Sequence, residues 1–455
     1  MDKPNDRIYL HVDYEDAYVQ PLVLAAIKSR LPPELLVFIQ DKEPEQPLSN
    51  AKYLQWRQYE QIDFEHLLDN PSTSLANSYI IRKALIRKHY LSTTISHWLT
   101  KNPDSILKDH VKPSVEFEVD YAEFLDDALV EAWELKESWA RNAAIDDEGA
   151  GERGKGKEWW ILKPGMSERG QGIRLFSSEE ELTAIFEEWD PPSDDEDEDE
   201  GDEAQADHSG DEGGEDRVPK PTDYEDDGNN GIMTSQLRHF IAQPYIHPSL
   251  LLPPPHSSAD RKFHIRTYVV AVGALKVYVY RPMLALFAGK DYTPPGSAAS
   301  GEEDLSRHLT NTCLQSGERE GSVEAFWDLP STLPNLNTAE NTSDWRQDVF
   351  EQICAATAET FEAAARTMSI HFQPLPNSFE IFGLDFLVDA QGTAWLLEVN
   401  AFPDFKQTGD ELSGLVEGLF EGVVDVAVRP FFGVNGVEQD STEIIKVLDV
   451  DLGRR

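Results

Sequence analysis

Residues 379–405, FEIFGLDFLVDAQGTAWLLEVNAFPDF, hold two apolar runs on either side of the turn-forming stretch AQGT. Two strand-like runs with so short a link pair as an antiparallel hairpin. A loop at residues 390–393 pairs Asp389 with Ala394. In that register Asp385 faces Glu398 and Gly383 faces Asn400. Side chains alternate along a strand, so Asp385, Glu398 and Asn400 share one face. Like charges directly across a ladder repel, and the neighbouring Phe, Leu, Val and Trp residues argue against full solvation. A hard divalent cation between the carboxylates removes the repulsion. Carboxylate and amide oxygens suit magnesium, which also takes water and phosphate oxygens. The plainer alternative is a solvated acidic patch.

A second hairpin, DRKFHIRTYVVAVGALKVYVYR, turns at Gly273 and Ala274 in the manner of a type II′ turn. This register sets Arg266 opposite Arg281, with Lys262, His264 and Arg266 on one face. A basic face beside an acidic hairpin is what a nucleoside triphosphate requires, since cations neutralise phosphates and a metal bridges them. Taken alone, it would be a surface stripe paired with nearby acids. A third stretch, ILKPGMSERGQGI, ends a strand at Lys163 and enters a loop in which Gly165, Gly170 and Gly172 let backbone N–H groups approach phosphate. A plain hairpin turn is the alternative there. No Gly-Lys-Ser/Thr opens a helix, so this is not a Walker loop, and no HExxH pattern or zinc-type histidine spacing occurs.

The rest of the chain reads as α+β. A strand at 7–14, a helix and a strand at 35–40 form a small βαβ-like, Rossmann-like unit. Long helices are expected at 78–101, 120–140 and 345–368, and a helical tail from 413. The expected divisions are 1–77, an N-terminal βαβ-like subdomain; 78–190, a central subdomain; 191–230, an acidic disordered insert; and 231–455, a C-terminal subdomain with the carboxylate hairpin. The insert is assigned on charge: residues 194–227 contain eighteen acidic and two basic residues. The whole chain of 455 residues carries a formal net charge of -44. Such a field repels phosphate backbones and anionic lipid, which excludes non-specific nucleic-acid and membrane binding as a reading. No apolar run is long enough to span a bilayer, the N-terminus lacks the pattern of a secretory leader, and the two cysteines, Cys313 and Cys354, suggest a reducing compartment. A cytoplasmic protein is expected.

In order along the chain, these motifs resemble the tubulin-tyrosine ligase-like family, whose members have the ATP-grasp fold with antiparallel sheets flanking the nucleotide. RKALIRK looks like the family's basic pair, Arg82 and Lys83. WWILKPGMSERGQGI is similar to the strand and flap that carry the phosphate-binding lysine, Lys163. AQPYIHPSLLL resembles the adenine hinge, around Gln243, Tyr245 and Ile246. RKFHIR resembles Lys-Phe-Asp-Ile-Arg, giving Lys262 and Arg266. HLTN supplies His308, Thr310 and Asn311, and GLDFLVD…WLLEVN supplies Asp385, Glu398 and Asn400. The resemblance implies ATP and magnesium as cofactors, with Asp385, Glu398 and Asn400 on the metal. Lys83, Lys163, Gly170 and Gly172 would join the hinge and HLTN groups on the nucleotide, and Lys262, Arg266 and Arg281 would serve the reacting phosphates. The implied chemistry is ligation of a free amino acid to a protein carboxylate through an acyl phosphate.

Three positions depart from the family pattern. His264 replaces an aspartate, Pro244 replaces the hinge lysine, and Leu286 stands where some members have an arginine. These departures support a second reading, a catalytically impaired nucleotide-binding scaffold. A third is a small-molecule carboxylate–amine ligase. Tubulin tails are acidic, so the net charge disfavours them as the acceptor. The LKPGMSERGQGI and LALFAG forms look most like the family's fungal branch. Relatives there associate with cytoplasmic mRNA-processing bodies and can carry a fused SurE-like phosphatase domain, for which 455 residues leave no room.

Overall fold

The structure is a computed structural model. It describes residues 7–39, 51–147, 156–165, 172–190, 238–297, 304–310, 322–334, 336, 344–408, 412–434 and 443–452. The expected acidic insert, Gly170 and Asn311 lie outside these.

The N-terminal strands β1 (Ile8–Asp13), β2 (Leu36–Phe38), β3 (Lys52–Arg57) and β4 (Ser74–Ala76) form a parallel sheet in the order β2-β1-β3-β4. The βαβ-like unit expected from sequence is the first half of it, with helix Val19–Arg30 as the crossover. Ile8, Leu10, Val23 and Ile27 share a core with Val416, Phe420 and Val424 of the C-terminal helical tail, so the two ends of the chain pack together.

A second, antiparallel sheet joins β5 (Val115–Glu118), β6 (Trp160–Pro164), β7 (Arg174–Phe176) and β8 (His239–Pro244) in the order β5-β8-β6-β7. Its alternation decides what faces what. Trp160, Leu162, Phe240 and Ala242 pack with Leu135 and Trp139 of helix Trp133–Asp147 and with Leu182 and Phe186 of helix Glu179–Trp189. Ile161, Lys163 and Gln243 point the other way.

Two expected boundaries shift. Strand β8, from beyond residue 230, completes this central sheet. Residues 78–111 belong instead to the large core, where Leu91, Ile95 and Leu107 pack with Phe263, Ile353 and Phe361. The helix expected at 78–101 breaks at Arg87, whose φ of -101° and ψ of 121° are extended, leaving helices Lys83–Ile86 and Lys88–Lys101. The one expected at 120–140 is two short turns followed by helix Trp133–Asp147.

The third sheet is built around β9 (Arg261–Val272). Along one edge it pairs with β10 (Lys276–Tyr280) and then β11 (Leu284–Asp291), which follow each other end to end. β12 (Val323–Ala325) lies beyond β11. Along the other edge of β9 runs β13 (Phe379–Val388), then β14 (Ala394–Ala401). β15 (Ile444–Asp449) extends the sheet past β10 and gives the last residues of the chain a place. Phe263, Ile265 and Val269 face helix Trp345–Thr367, whose Val349, Ile353, Ala356 and Phe361 recur at helical spacing. The opposite face of β9 changes character along its length. Tyr268 and Val270 complete the N-terminal core, whereas Lys262, His264 and Arg266 open onto a cavity.

Candidate nucleotide site

The cavity, about 490 Å³, lies between the second and third sheets. Its floor is one row across β9, β13 and β14. Arg266 pairs with Asp385, and Asp385 with Glu398. Asp385 therefore faces Glu398, and Gly383 faces Asn400, as the pattern requires, but by a different route. The hairpin loop has one more residue than expected, because Val388 pairs with Ala394, and a bulge at Leu397 restores the register at Asp385.

The row neutralises itself. Arg266 grips Asp385 with two hydrogen bonds, Nε to Oδ1 at 2.5 Å and Nη2 to Oδ2 at 3.1 Å. Lys88, first residue of its helix, places Nζ 3.3 Å from Glu398 Oε2. Asn400 Nδ2 donates to Glu398 Oε1 at 3.1 Å and, more weakly, to Asp385 Oδ2 at 3.4 Å. Burial alone would raise the Glu398 carboxyl, but the ammoniums of Lys88 and Lys163 outweigh it and hold it far below the usual carboxylate range. Burial would lower Arg266, but Asp385 outweighs that and keeps the guanidinium charged. Gly383 has a steric reason: a Cβ there would lie 2.9 Å from Pro403 Cβ and 3.3 Å from Arg266 Cδ.

The roof side, where Lys163 of the second sheet meets Lys262 at the start of β9, is different. Lys163, on β6, donates to Gln243 Oε1 at 3.0 Å, and Lys262 sits 3.9 Å from the centre of the Tyr245 ring. Neither makes an ion pair with a described residue. Burial pushes Lys163 down to about 8. Burial, and then the charge of Lys163, holds Lys262 well below its ordinary value. Two neighbouring ammoniums, Lys262 buried on β9 and Lys163 half-buried across from it on β6, neither in an ion pair with a described residue, form a site suited to an anion.

His264 Nδ1 is hydrogen-bonded to Thr310 Oγ1, with Nε2 3.5 Å from Asp385 Oδ1. Burial lowers its pKa, which favours the neutral imidazole. Leu286, opposite it on β11, is 1% exposed and lines the cavity. At the hinge, Gln243, Tyr245 and Ile246 line the cavity, and His308 holds the Tyr245 hydroxyl at 2.9 Å. Pro244 has no N–H, and the Tyr245 N–H already donates to the Trp159 carbonyl at 2.7 Å.

Two expected residues stand elsewhere. The turn after β9 holds three residues, Gly273, Ala274 and Leu275, with Gly273 at φ +62°. The added residue shifts the register, and the chain crosses to β11 before reaching Arg266. Arg281 thus never faces Arg266. It stacks 4.2 Å from the Trp327 ring and bonds Gln347 at 2.9 Å, outside the cavity. Lys83 is exposed and does not line the cavity. Its neighbour Arg82 pairs with buried Glu380 at 2.8 Å and stacks 3.9 Å from Tyr59. The cation that RKALIRK does bring to the cavity is its last residue, Lys88. Helix phase could have singled it out, had the break at Arg87 been foreseen. Phe402, in the left-handed region at φ 49°, also lines the cavity and has no sequence signal. Gly172 has φ +71° but is not part of the lining.

The oxygens of Asp385, Glu398 and Asn400 fit magnesium in kind. Among the described residues no three or more His, Cys, Asp and Glu side chains are grouped to hold a metal alone. An ion here would need ligand oxygens to complete its shell, which is how magnesium sits with phosphates.

Lys163 on the second sheet, set across the cavity from the cations of β9 and the carboxylate hairpin of the third sheet, completes the arrangement of an ATP-grasp protein. A solved structure of that fold, the C-terminal domain of K. lactis Pby1, matches 98% of this chain and 99% of its own, with a TM-score of 0.66 and 35% identity. It is described as an ATP-grasp enzyme interacting with the mRNA decapping enzyme Dcp2. The profile of the tubulin-tyrosine ligase family matches residues 67–435, and the chain belongs to that family. Its relatives include fungal proteins. A probable tubulin–tyrosine ligase of Schizosaccharomyces pombe is 43% identical, over 95% of this chain and 94% of its own. The probable tubulin–tyrosine ligase PBY1 of Saccharomyces cerevisiae is 41% identical over 99% of this chain, which spans 56% of that relative. No helix among the described residues is long and apolar enough to cross a membrane.

Proposed function

We propose that this protein is an ATP-dependent carboxylate–amine ligase that adds an amino acid to a protein carboxylate. The observation that carries the reading is the pair of lysines, half-buried Lys163 on β6 and buried Lys262 on β9, that line one cavity with the Asp385–Glu398–Asn400 hairpin. ATP would lie with its base at Gln243, Tyr245 and Ile246 and its phosphates under the lysines. Magnesium, held by Asp385, Glu398 and Asn400, would supply the positive charge that bridges phosphate oxygens. The protein's own part is alignment and neutralisation. Lys163 and Lys262 hold the phosphates, and Arg266 sets its guanidinium beside the transferring group. An acceptor carboxylate oxygen attacks the γ-phosphorus and ADP leaves. The amine nitrogen then attacks the acyl carbon, phosphate departs, and an amide remains. At a net charge of -44 the protein repels strongly acidic acceptors at a distance, so an acceptor less acidic than a tubulin tail is favoured.

A specific observation favours a second reading, a nucleotide-binding scaffold with impaired catalysis. Leu286 and His264, whose burial favours the neutral imidazole, occupy the cavity beside Arg266, where charge stabilisation of the transfer would be expected. A similar domain, that of K. lactis Pby1, interacts with a decapping enzyme, so a cytoplasmic role beside the mRNA decay machinery follows from this reading. Single-turnover ADP formation, screened across amino acids and candidate acceptor proteins, separates the two. ADP that depends on both an amino acid and an acceptor supports the ligase. ADP needing only a free amino acid and a small carboxylate points to a small-molecule ligase. Nucleotide binding without turnover supports the scaffold.

A further inference from the structure

The described surface has seven large apolar side chains that are clearly exposed, and four of them fall within residues 121–133: Tyr121 at 44%, Phe124 at 48%, Val130 at 56% and Trp133 at 67%. Alternate residues explain why they are outside. Leu125, Leu129, Ala132 and Leu135 fill the core of the second sheet, so the residues between them are left uncovered by the described residues. Tyr121 and Phe124 touch edge to face, with ring centres 6.3 Å apart. Exposed acids are interleaved throughout: Glu123, Asp126, Asp127, Glu131, Glu134 and Glu137.

The patch runs into a groove. Glu134, next to Trp133 in the helix, lines a cavity of about 370 Å³ at the back of the hinge, where Arg141 already pairs with Glu158 at 2.8 Å and Lys157 is a second cation. Trp159 keeps its indole Nε1 buried with no acceptor among the described residues. An apolar surface interleaved with acids is built to receive a chain that supplies apolar anchors and cations.

We infer that this face is a docking site for a cationic segment of a partner protein carrying apolar anchors. Charge selects the occupant. A second copy would bring the same acidic face at -44 and be repelled, and anionic lipid or nucleic acid would be repelled equally. The chain's own basic stretch, GERGKGK at residues 151–157, has no large apolar side chain to cover Trp133 or Val130. The site stands on the outer side of the second sheet, and its groove shares only Pro244 and Tyr245 with the nucleotide cavity.

The test is selection of a random displayed-peptide library on the immobilised full chain, with winners re-measured by fluorescence anisotropy. Enriched peptides should combine lysine or arginine with aromatic or aliphatic anchors. Trp133→Ser with Val130→Ser should weaken them at least about tenfold, the scale of losing a central anchor. Glu131→Lys with Glu134→Lys should weaken them similarly and remove most of the salt dependence. All four positions are exposed, and an unchanged thermal melt would show that the variants fold. Enrichment of acidic or uncharged peptides, no enrichment, or binding indifferent to both variants would overturn the inference. So would concentration-dependent dimers in sedimentation velocity that vanish in Trp133→Ser.

Discussion

The two sides of the cavity solve the same electrostatic problem in opposite ways. On the floor the charges are paired: buried Arg266 on Asp385, half-buried Lys88 on Glu398. On the roof half-buried Lys163 and buried Lys262 make no ion pair with a described residue, and their pKa values fall. A floor balanced without ligand holds its own geometry. A roof left unbalanced stores the desolvation cost of two ammoniums, which an incoming anion relieves. Floor substitutions should therefore cost folding, and roof substitutions should cost binding.

The largest effect is expected on the roof. Lys163→Met with Lys262→Met should reduce ATP affinity about a thousandfold, at about 1.5–3 kcal/mol for each charge-assisted bond. It should leave the melting temperature equal or higher, because methionine fills the space without a buried charge. Calorimetry and thermal melts read both halves. Asp385→Ala reverses the pattern. It strands a buried guanidinium and should destabilise the fold by about 3–5 kcal/mol in urea titration. Stability unchanged by Asp385→Ala would break the comparison.

A smaller loss, about 1–3 kcal/mol, is expected for Gly383→Ala, whose methyl must displace Pro403 or the Arg266 stem. The pH response sharpens the contrast further. Lys163 titrates near 8 when folded against an ordinary value of 10.5. ATP needs its ammonium, so affinity should fall as pH rises through about 8, by at most about tenfold per unit. Stability should move oppositely between 8 and 10.5, since there the unfolded chain binds the proton that the folded one has released. Isothermal titration and urea melts across that range would show both slopes. Least affected should be Arg281→Gln, which removes a stacking contact outside the cavity and should leave nucleotide affinity unchanged.

The same contrast explains what could be read from sequence. Asp385, Glu398 and Asn400 sit on one hairpin, where strand parity relates residues that are near in the chain. Even there two local errors, in the loop and at the Leu397 bulge, cancelled. The β9–β10 turn had no such compensation, and Arg281 was misplaced by the added turn residue. Lys88 was hidden because its position depends on a helix break at Arg87 that residues 78–101 do not announce. The second sheet was hardest, since β8 joins β6 across a long acidic stretch, and pairing at that separation leaves no periodic trace. The family motifs found Lys163, Lys262 and Gln243 individually. Only the fold shows that the two lysines lie together without an ion pair to a described residue.

The most direct measurement is a calorimetric titration of ATP, with and without magnesium, into the wild-type protein and Glu398→Gln. A cavity that binds nucleotide between a lysine roof and a carboxylate floor predicts magnesium-dependent binding by wild type, and loss of that dependence in the variant. No binding by wild type, or binding that ignores both magnesium and Glu398, would contradict it.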